Sequence, residues 1–304
     1  MDIDLSRLST ESRNPETMNL DQMTPLQIVQ AMNREDACAV VSIEPELPKI
    51  AQVIEWAAAA LEAGGRLVYM GAGTSGRLGV LDAAECPPTF GVDPGLVVGL
   101  IAGGEGAFIK AVEGAEDSRE LGKEDLAGIG LTSRDVVVGL AASGRTPYVL
   151  GGLAYAAEAG CKTAAIACNR GSKIGEAADI AIEPVPGPEV LTGSTRLKAG
   201  TVQKLVLNMI STGTMVSVGK VYQNLMVDVQ QTNEKLVVRG QNIVMEATGC
   251  TRSEAIAALA DAQSHVKTAI VAILLGVDAK AASCELDRSK GHVRAAIHKE
   301  TKGE

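Results

Sequence analysis

Between Arg66 and Pro184 the chain repeats one texture five times: a short apolar run, a Gly-rich or polar turn, and a stretch with helical character. The runs are Arg66–Met70, Leu96–Ala102, Asp135–Ala141, Lys162–Ala167 and Ile180–Pro184, although a Pro-containing loop rather than a helix follows the last. Strands joined by helical crossovers run parallel, and a parallel sheet is covered on both faces. The expectation is therefore an α/β, three-layer fold with a five-stranded parallel sheet flanked by helices. Ligands of such sheets bind beyond the carboxyl ends of the strands.

The flanks read differently. Residues 1 to about 20 are polar, hold Ser, Asn and Pro without an apolar period, and read as a flexible or partner-ordered arm. Two amphipathic helices are expected next, over Thr24–Met32 and Pro48–Ala63, each with Pro near its first helical position. After the Val185–Pro188 loop, Ser194–Lys220 carries a long apolar period that predicts one extended helix. Beyond Leu236 the pattern is purely helical, with a capping box at Thr251-Arg-Ser-Glu254, which predicts a small C-terminal helical subdomain. The expected organisation is an arm and helix over 1–50, a sheet domain over 51–235 and a helical subdomain over 236–304.

Composition narrows the function. Only one Trp, four Tyr and two Phe occur among 304 residues, and the formal net charge is −9. A chain so poor in stacking platforms and so acidic is not expected to bind nucleic acid. Apolar stretches such as the one in Val266–Val277 fall short of the ~20 residues a spanning helix needs. No membrane partner is expected, and six Cys without a C-x-x-C pair or signal peptide fit a cytoplasmic protein with free thiols. The three His, at 265, 292 and 298, form no metal-ligand constellation and support neither zinc chemistry nor a His-based triad. Neither a metal nor another cofactor is expected.

Three loops are suited to an anion. Gly71-Ala-Gly73-Thr74-Ser75-Gly76-Arg77 follows the first run and opens a helix. It matches the dinucleotide fingerprint in letters, yet the acidic residue that fingerprint wants at the end of the next strand is missing; Asp93 lies before that strand. Hydroxyls beside the backbone amides suit a single phosphate better than a pyrophosphate. Ala142-Ser143-Gly144-Arg145-Thr146-Pro147 repeats the Ser-Gly-Arg signature after the third run. Leu191-Thr-Gly-Ser194-Thr195-Arg196-Leu-Lys198-Ala-Gly200 opens the long helix, where cations are unfavourable by ~0.3–1 kcal/mol each unless an anion sits there. Acidic residues cluster in Asp82-Ala-Ala-Glu85-Cys-Pro-Pro-Thr89 and Glu113-Gly-Ala-Glu116-Asp-Ser118. Spacing alone does not separate Glu85 and Glu116 from Asp82, Glu105 or Glu113, and most such carboxylates are solvated.

Taken together, these five stretches strongly resemble the N-acetylmuramic acid 6-phosphate etherases. The likeness continues through Thr10-Glu-Ser-Arg-Asn14, Asn224-Leu-Met-Val-Asp-Val229, Thr232-Asn-Glu-Lys235 and Ala247-Thr-Gly-Cys250, with no departure at the motif positions. The resemblance implies a sugar isomerase (SIS) fold, a homodimer, and cleavage of the D-lactyl ether of a 6-phosphorylated amino sugar in peptidoglycan recycling. It also implies that Glu85 is the proton donor and Glu116 the second active-site carboxylate. The sugar phosphate is expected on Gly73, Thr74, Ser75, Ser143, Gly144, Arg145, Thr146 and Ser194, with Arg196 or Lys198 for the lactyl carboxylate. Burial beside a Pro87-Pro88 turn is expected to keep Glu85 protonated. An isomerase or a non-catalytic sugar-phosphate sensor on the same fold would share the phosphate loops without releasing lactate.

Overall fold

The computed structural model describes residues 8–229 and 234–298. Five parallel strands, β1 (Leu67–Gly71), β2 (Val97–Ile101), β3 (Val136–Leu140), β4 (Lys162–Ile166) and β5 (Ile180–Ile182), form one sheet in the order β2-β1-β3-β4-β5. All five expected strands are present, within two residues of the anticipated bounds. Val, Ile, Leu and Ala dominate them, and every residue of β1 and β3 is buried, as both-sided coverage requires.

Successive side chains face opposite layers. Val68, Met70 and Val137 join Leu126, Tyr148 and Leu153 in a core formed with α4 (Arg119–Gly128) and α5 (Pro147–Glu158). On the other face Tyr69 and Leu140 lie against Gly79 of α3 (Gly73–Phe90). The remaining helices are α1 (Pro25–Ile43), α2 (Leu47–Glu62), the short α6 (Lys173–Glu176) and α7 (Lys198–Ser217). A capping box of Thr24 with Gln27 starts α1, which runs well past the expected Met32.

The chain divides into two compact units, one of residues 1–84 and 94–213 and one of 85–93 and 214–304. Within the second, α8 (Glu234–Thr248), α9 (Arg252–Asp261), α10 (Val266–Leu275), α11 (Ala279–Arg288) and α12 (Val293–Ile297) enclose a core of Ile243, Val244, Leu259, Ile270 and Val271. The Thr251–Glu254 capping box is formed at α9. Lys220 and Lys267 both pair with Asp228, at 3.2 and 2.6 Å. Desolvation lowers the Lys267 pKa, and the Asp228 carboxylate opposes that shift. Thr232 and Asn233 lie outside the described residues.

Two expectations are corrected. The arm from Leu8 onward is not loose: it forms three short 3-10 turns, Ser9–Glu11, Pro15–Thr17 and Leu20–Gln22, with Leu8, Thr10, Asn14 and Thr17 buried. Side-chain bonds to distant backbone hold it without an apolar period, through Asn14 Nδ2 to the Pro188 carbonyl and Thr17 Oγ1 to the Val190 carbonyl. Nor do the two prolines end their helix, because α3 continues through Pro87 and Pro88 to Phe90. Neither proline can donate, so Ala83 and Ala84 lose the amide that would normally return to each carbonyl four residues back. Among the described residues no single helix is long and apolar enough to cross a membrane.

Candidate functional site

The strand order places the connections of β1 and β3 on opposite sides of the sheet, and the switch between them leaves a crevice at their carboxyl ends. Gly71 and Leu140 are in register there, so the two Ser-Gly-Arg loops leave adjacent strands at the same level. Local chemistry explains each loop. After β1 the chain turns at Gly73, whose φ of +53° favours glycine, and enters α3 at once. After β3, Gly144 (φ +74°) packs so closely on Ser172 that a Cβ would collide with it. Thr146 then sits at the N-cap of α5 without bonding the helix, which leaves its hydroxyl for another acceptor.

A concavity of about 200 Å³ opens beside the first loop, lined in part by Ala72, Gly73, Arg77, Glu113 and Glu116. Arg77 closes one side by donating to the carbonyls of Ala107 and Phe108, both at 2.8 Å, and so holds the segment that leads to Glu113. Glu116 is exposed and sits in a 3-10 turn, Ala115–Asp117, entered through Gly114 in the left-handed region. Thus Gly73 and Glu116 share one hollow, while Ser143 and Thr146 stand half-buried on the neighbouring strand's loop.

The start of α7 meets the same end of α3. Gly200 comes against the Thr74 methyl, and Ser75 Oγ donates to Gln203 Oε1 at 2.8 Å. Ser75 is therefore buried with its hydroxyl engaged, whereas Thr74 is half-buried. A carboxylate of the protein itself also meets this helix start. The Glu189 carboxylate accepts the backbone amides of Lys198 and Ala199, each at 3.0 Å, and thereby satisfies two of the orphan donors. Burial raises the Glu189 pKa, against those two amides and the Lys198 charge. Lys198 is itself 2% exposed and its ammonium is paired with Glu35 of α1, while Arg196 is exposed and Ser194 half-buried.

Glu85 stands on the last part of α3 as an exposed residue, so the burial expected beside the prolines is absent. Asp82, by contrast, is buried and accepts from Asn208 at 2.7 Å and Ser211 at 3.1 Å, which makes it a tie between α3 and α7. Residue typing alone does not single out three further groups at this end of the sheet. Asn169 accepts from the amide and hydroxyl of Ser9 and donates to Thr10 Oγ1 and the Ala142 carbonyl, binding the arm to the second loop. Glu189 carries its signal in lying nine residues before a cationic helix start, and Arg77 in completing the first Ser-Gly-Arg.

Residues 49–157 match the model of the glucokinase regulatory protein N-terminal SIS domain. Over 295 residues, 97% of this chain, the sequence is 61% identical to N-acetylmuramic acid 6-phosphate etherase of Cronobacter sakazakii, covering 99% of that protein. It is 58% identical over the same length to the protein of that name from Salmonella typhi, again covering 99% of it. Among solved structures, a phosphoheptose isomerase from Francisella tularensis is 18% identical, with 62% of this chain and 100% of that chain covered and a TM-score of 0.47.

Proposed function

The chain belongs to the family of N-acetylmuramic acid 6-phosphate etherases, and from that premise we propose how its residues divide the work of cleaving the lactyl ether. The reaction yields N-acetylglucosamine 6-phosphate and D-lactate, and its place is in recycling of peptidoglycan amino sugars. The carrying observation is the hollow in which Gly73 of an anion-suited loop and the Glu116 carboxylate stand together. A phosphoryl group takes the hydroxyls of Thr74, Ser75, Ser143 and Thr146, with Ser194 and Arg145 beside them, whereas the Gly144 amide is already given to the Ala141 carbonyl at 2.9 Å and Gly144 serves to shape its loop. Arg196, exposed and cationic, is the better partner for the lactyl carboxylate, since the Lys198 ammonium already pairs with Glu35.

With the phosphate held, remote binding energy orients C2 and C3 of the ring-opened sugar. Glu116 removes the C2 proton, made acidic by the adjacent aldehyde, as the C3–O bond breaks, and Glu85 delivers a proton to the departing lactate oxygen. Water then adds to C3 of the alkene while a proton returns to C2. An acid that keeps its proton near neutrality needs a low-dielectric setting. Glu85 is exposed on the single chain and so open to the substrate.

The homodimer is part of the reading. Leu26, Val29, Val40 and Val41 of α1 are 57–67% exposed, and an apolar shelf between α2 and α7 is lined by Leu47, Ile50, Ile54 and Met209. Light scattering at micromolar concentration tests it, and a monomer would sink it. None of the six cysteines is in a disulfide, in keeping with a cytoplasmic location. The test of the chemistry is D-lactate release from N-acetylmuramic acid 6-phosphate by Glu85→Gln protein. A rate equal to the parent's removes Glu85 from the reaction.

A further inference from the structure

Gln203 lies on α7, 1% exposed, with its Oε1 accepting the Ser75 hydroxyl at 2.8 Å and its Nε2 without a hydrogen-bond partner. A buried N–H with no acceptor is costlier and rarer than an under-used carbonyl oxygen. The two ends of a carboxamide have nearly the same size, and half a turn of the group exchanges them without moving any neighbour. In the exchanged arrangement Nε2 donates to Ser75 Oγ across the same gap. The Ser75 hydrogen, no longer directed at Gln203, is then free to point at an anion.

Ser75 is placed to use that freedom. It belongs to the first turn of α3, where backbone amides lack intrahelical acceptors and favour negative charge. The same turn touches the start of α7 through Thr74 and Gly200, so the relation of Gln203 to the loop is fixed at two points. Farther along the same two helices, Asp82 with Asn208 and Ser211 already supplies a tie with no part in the proposed phosphate contacts. A purely mechanical clip at Gln203 would duplicate it.

We propose that Gln203 is a positioning residue for the phosphoryl group: its buried amide turns to donate to Ser75, which converts the Ser75 hydroxyl into a donor aimed at the anion. This rests on the reading of Ser75 as a phosphate contact. The chain of donors Nε2–H to Oγ–H to phosphate oxygen is aligned in one direction, and each bond strengthens the next. Gln203 touches no reacting atom, so its effect falls on binding of the phosphorylated substrate.

The experiment compares Gln203→Met, Gln203→Glu and Ser75→Ala in the full chain. It reads KM and kcat for N-acetylmuramic acid 6-phosphate, the inhibition constant of inorganic phosphate, and the melting temperature. Losing a bond to an anion lowers binding by roughly 10–150-fold, and an indirect contributor by less, so KM and the phosphate inhibition constant should rise about 5–30-fold in Gln203→Met with kcat little changed. Gln203→Glu keeps an acceptor for Ser75 but loses the donor, so it preserves the clip and still raises both constants. In the Ser75→Ala background the Gln203→Met effect should disappear. If Ser75→Ala leaves both constants unchanged, the phosphate reading of Ser75 fails and the inference with it. If Ser75→Ala raises them while Gln203→Glu moves neither, Gln203 is a clip and the proposal alone is overturned.

Discussion

The two ends of the sheet are built from the same kinds of polar residue and use them in opposite ways. Where the strands begin, Asp135 is 2% exposed and accepts from the Arg66 amide and guanidinium and from the amide and hydroxyl of Thr132. Arg66 gives its other donors to the Ile129 and Gly130 carbonyls. Thr163 and Asp179 bond each other reciprocally beside them. Where the strands end, Thr146 withholds its hydroxyl from its own helix, Glu116 stands exposed, and Gln203 keeps an unmatched amide. A polar group satisfied inside the protein holds the fold, and one left over at a loop is available to a ligand.

The sharpest way to break this contrast is to remove a carboxylate from the open end. Glu116→Gln should lower lactate release by about 10²–10⁴-fold with an unchanged melting temperature, since general-base assistance is worth that much. Steady-state kinetics beside thermal melts checks both halves. At the closed end, Asp135→Ala leaves the Arg66 charge unpaired and should cost about 3–5 kcal/mol in a denaturant titration, with KM unmoved. A shift in KM of comparable size would show that the ends are not independent.

Smaller effects sharpen the comparison. Ser143→Ala should weaken substrate by roughly 10–150-fold, as one hydrogen bond to a charged group is worth about 1.5–3 kcal/mol, and should leave stability alone. The smallest prediction concerns acid. Burial opposes the Asp135 carboxylate, but the bonds from Arg66 and Thr132 outweigh it and hold its pKa below the usual carboxylate range. A depressed folded-state value contributes stability that is complete above the unfolded carboxylate pKa and is lost as pH falls toward the folded one. Unfolding followed below pH 4 should therefore show a steeper decline in the parent than in Asp135→Asn.

Much of the fold was legible because a two-sided parallel strand leaves a continuous apolar run, and Val136–Leu140 could hardly be anything else. The paired Ser-Gly-Arg loops were equally visible, since each follows such a run directly. The strand order was not, and it is what makes those loops neighbours. Pro87 and Pro88 misled because tertiary packing carries α3 across two missing hydrogen bonds. The basic start of α7 shows in the sequence, but the carboxylate that meets it, Glu189, is brought back by the preceding loop and spacing does not reveal it. Choosing Glu85 and Glu116 over Asp82 rested on family likeness, because a carboxylate's task depends on neighbours that spacing does not show.

The tether between Ser9 and Asn169 joins residues 160 apart. On the ribosome, where about 5–20 residues are added per second, Ser9 is made roughly 8–30 s before its acceptor exists. The segment around Ser9 is thus fixed to Asn169 only after β4 has been completed, and a nascent chain halted before Asn169 would still carry that segment without this tether.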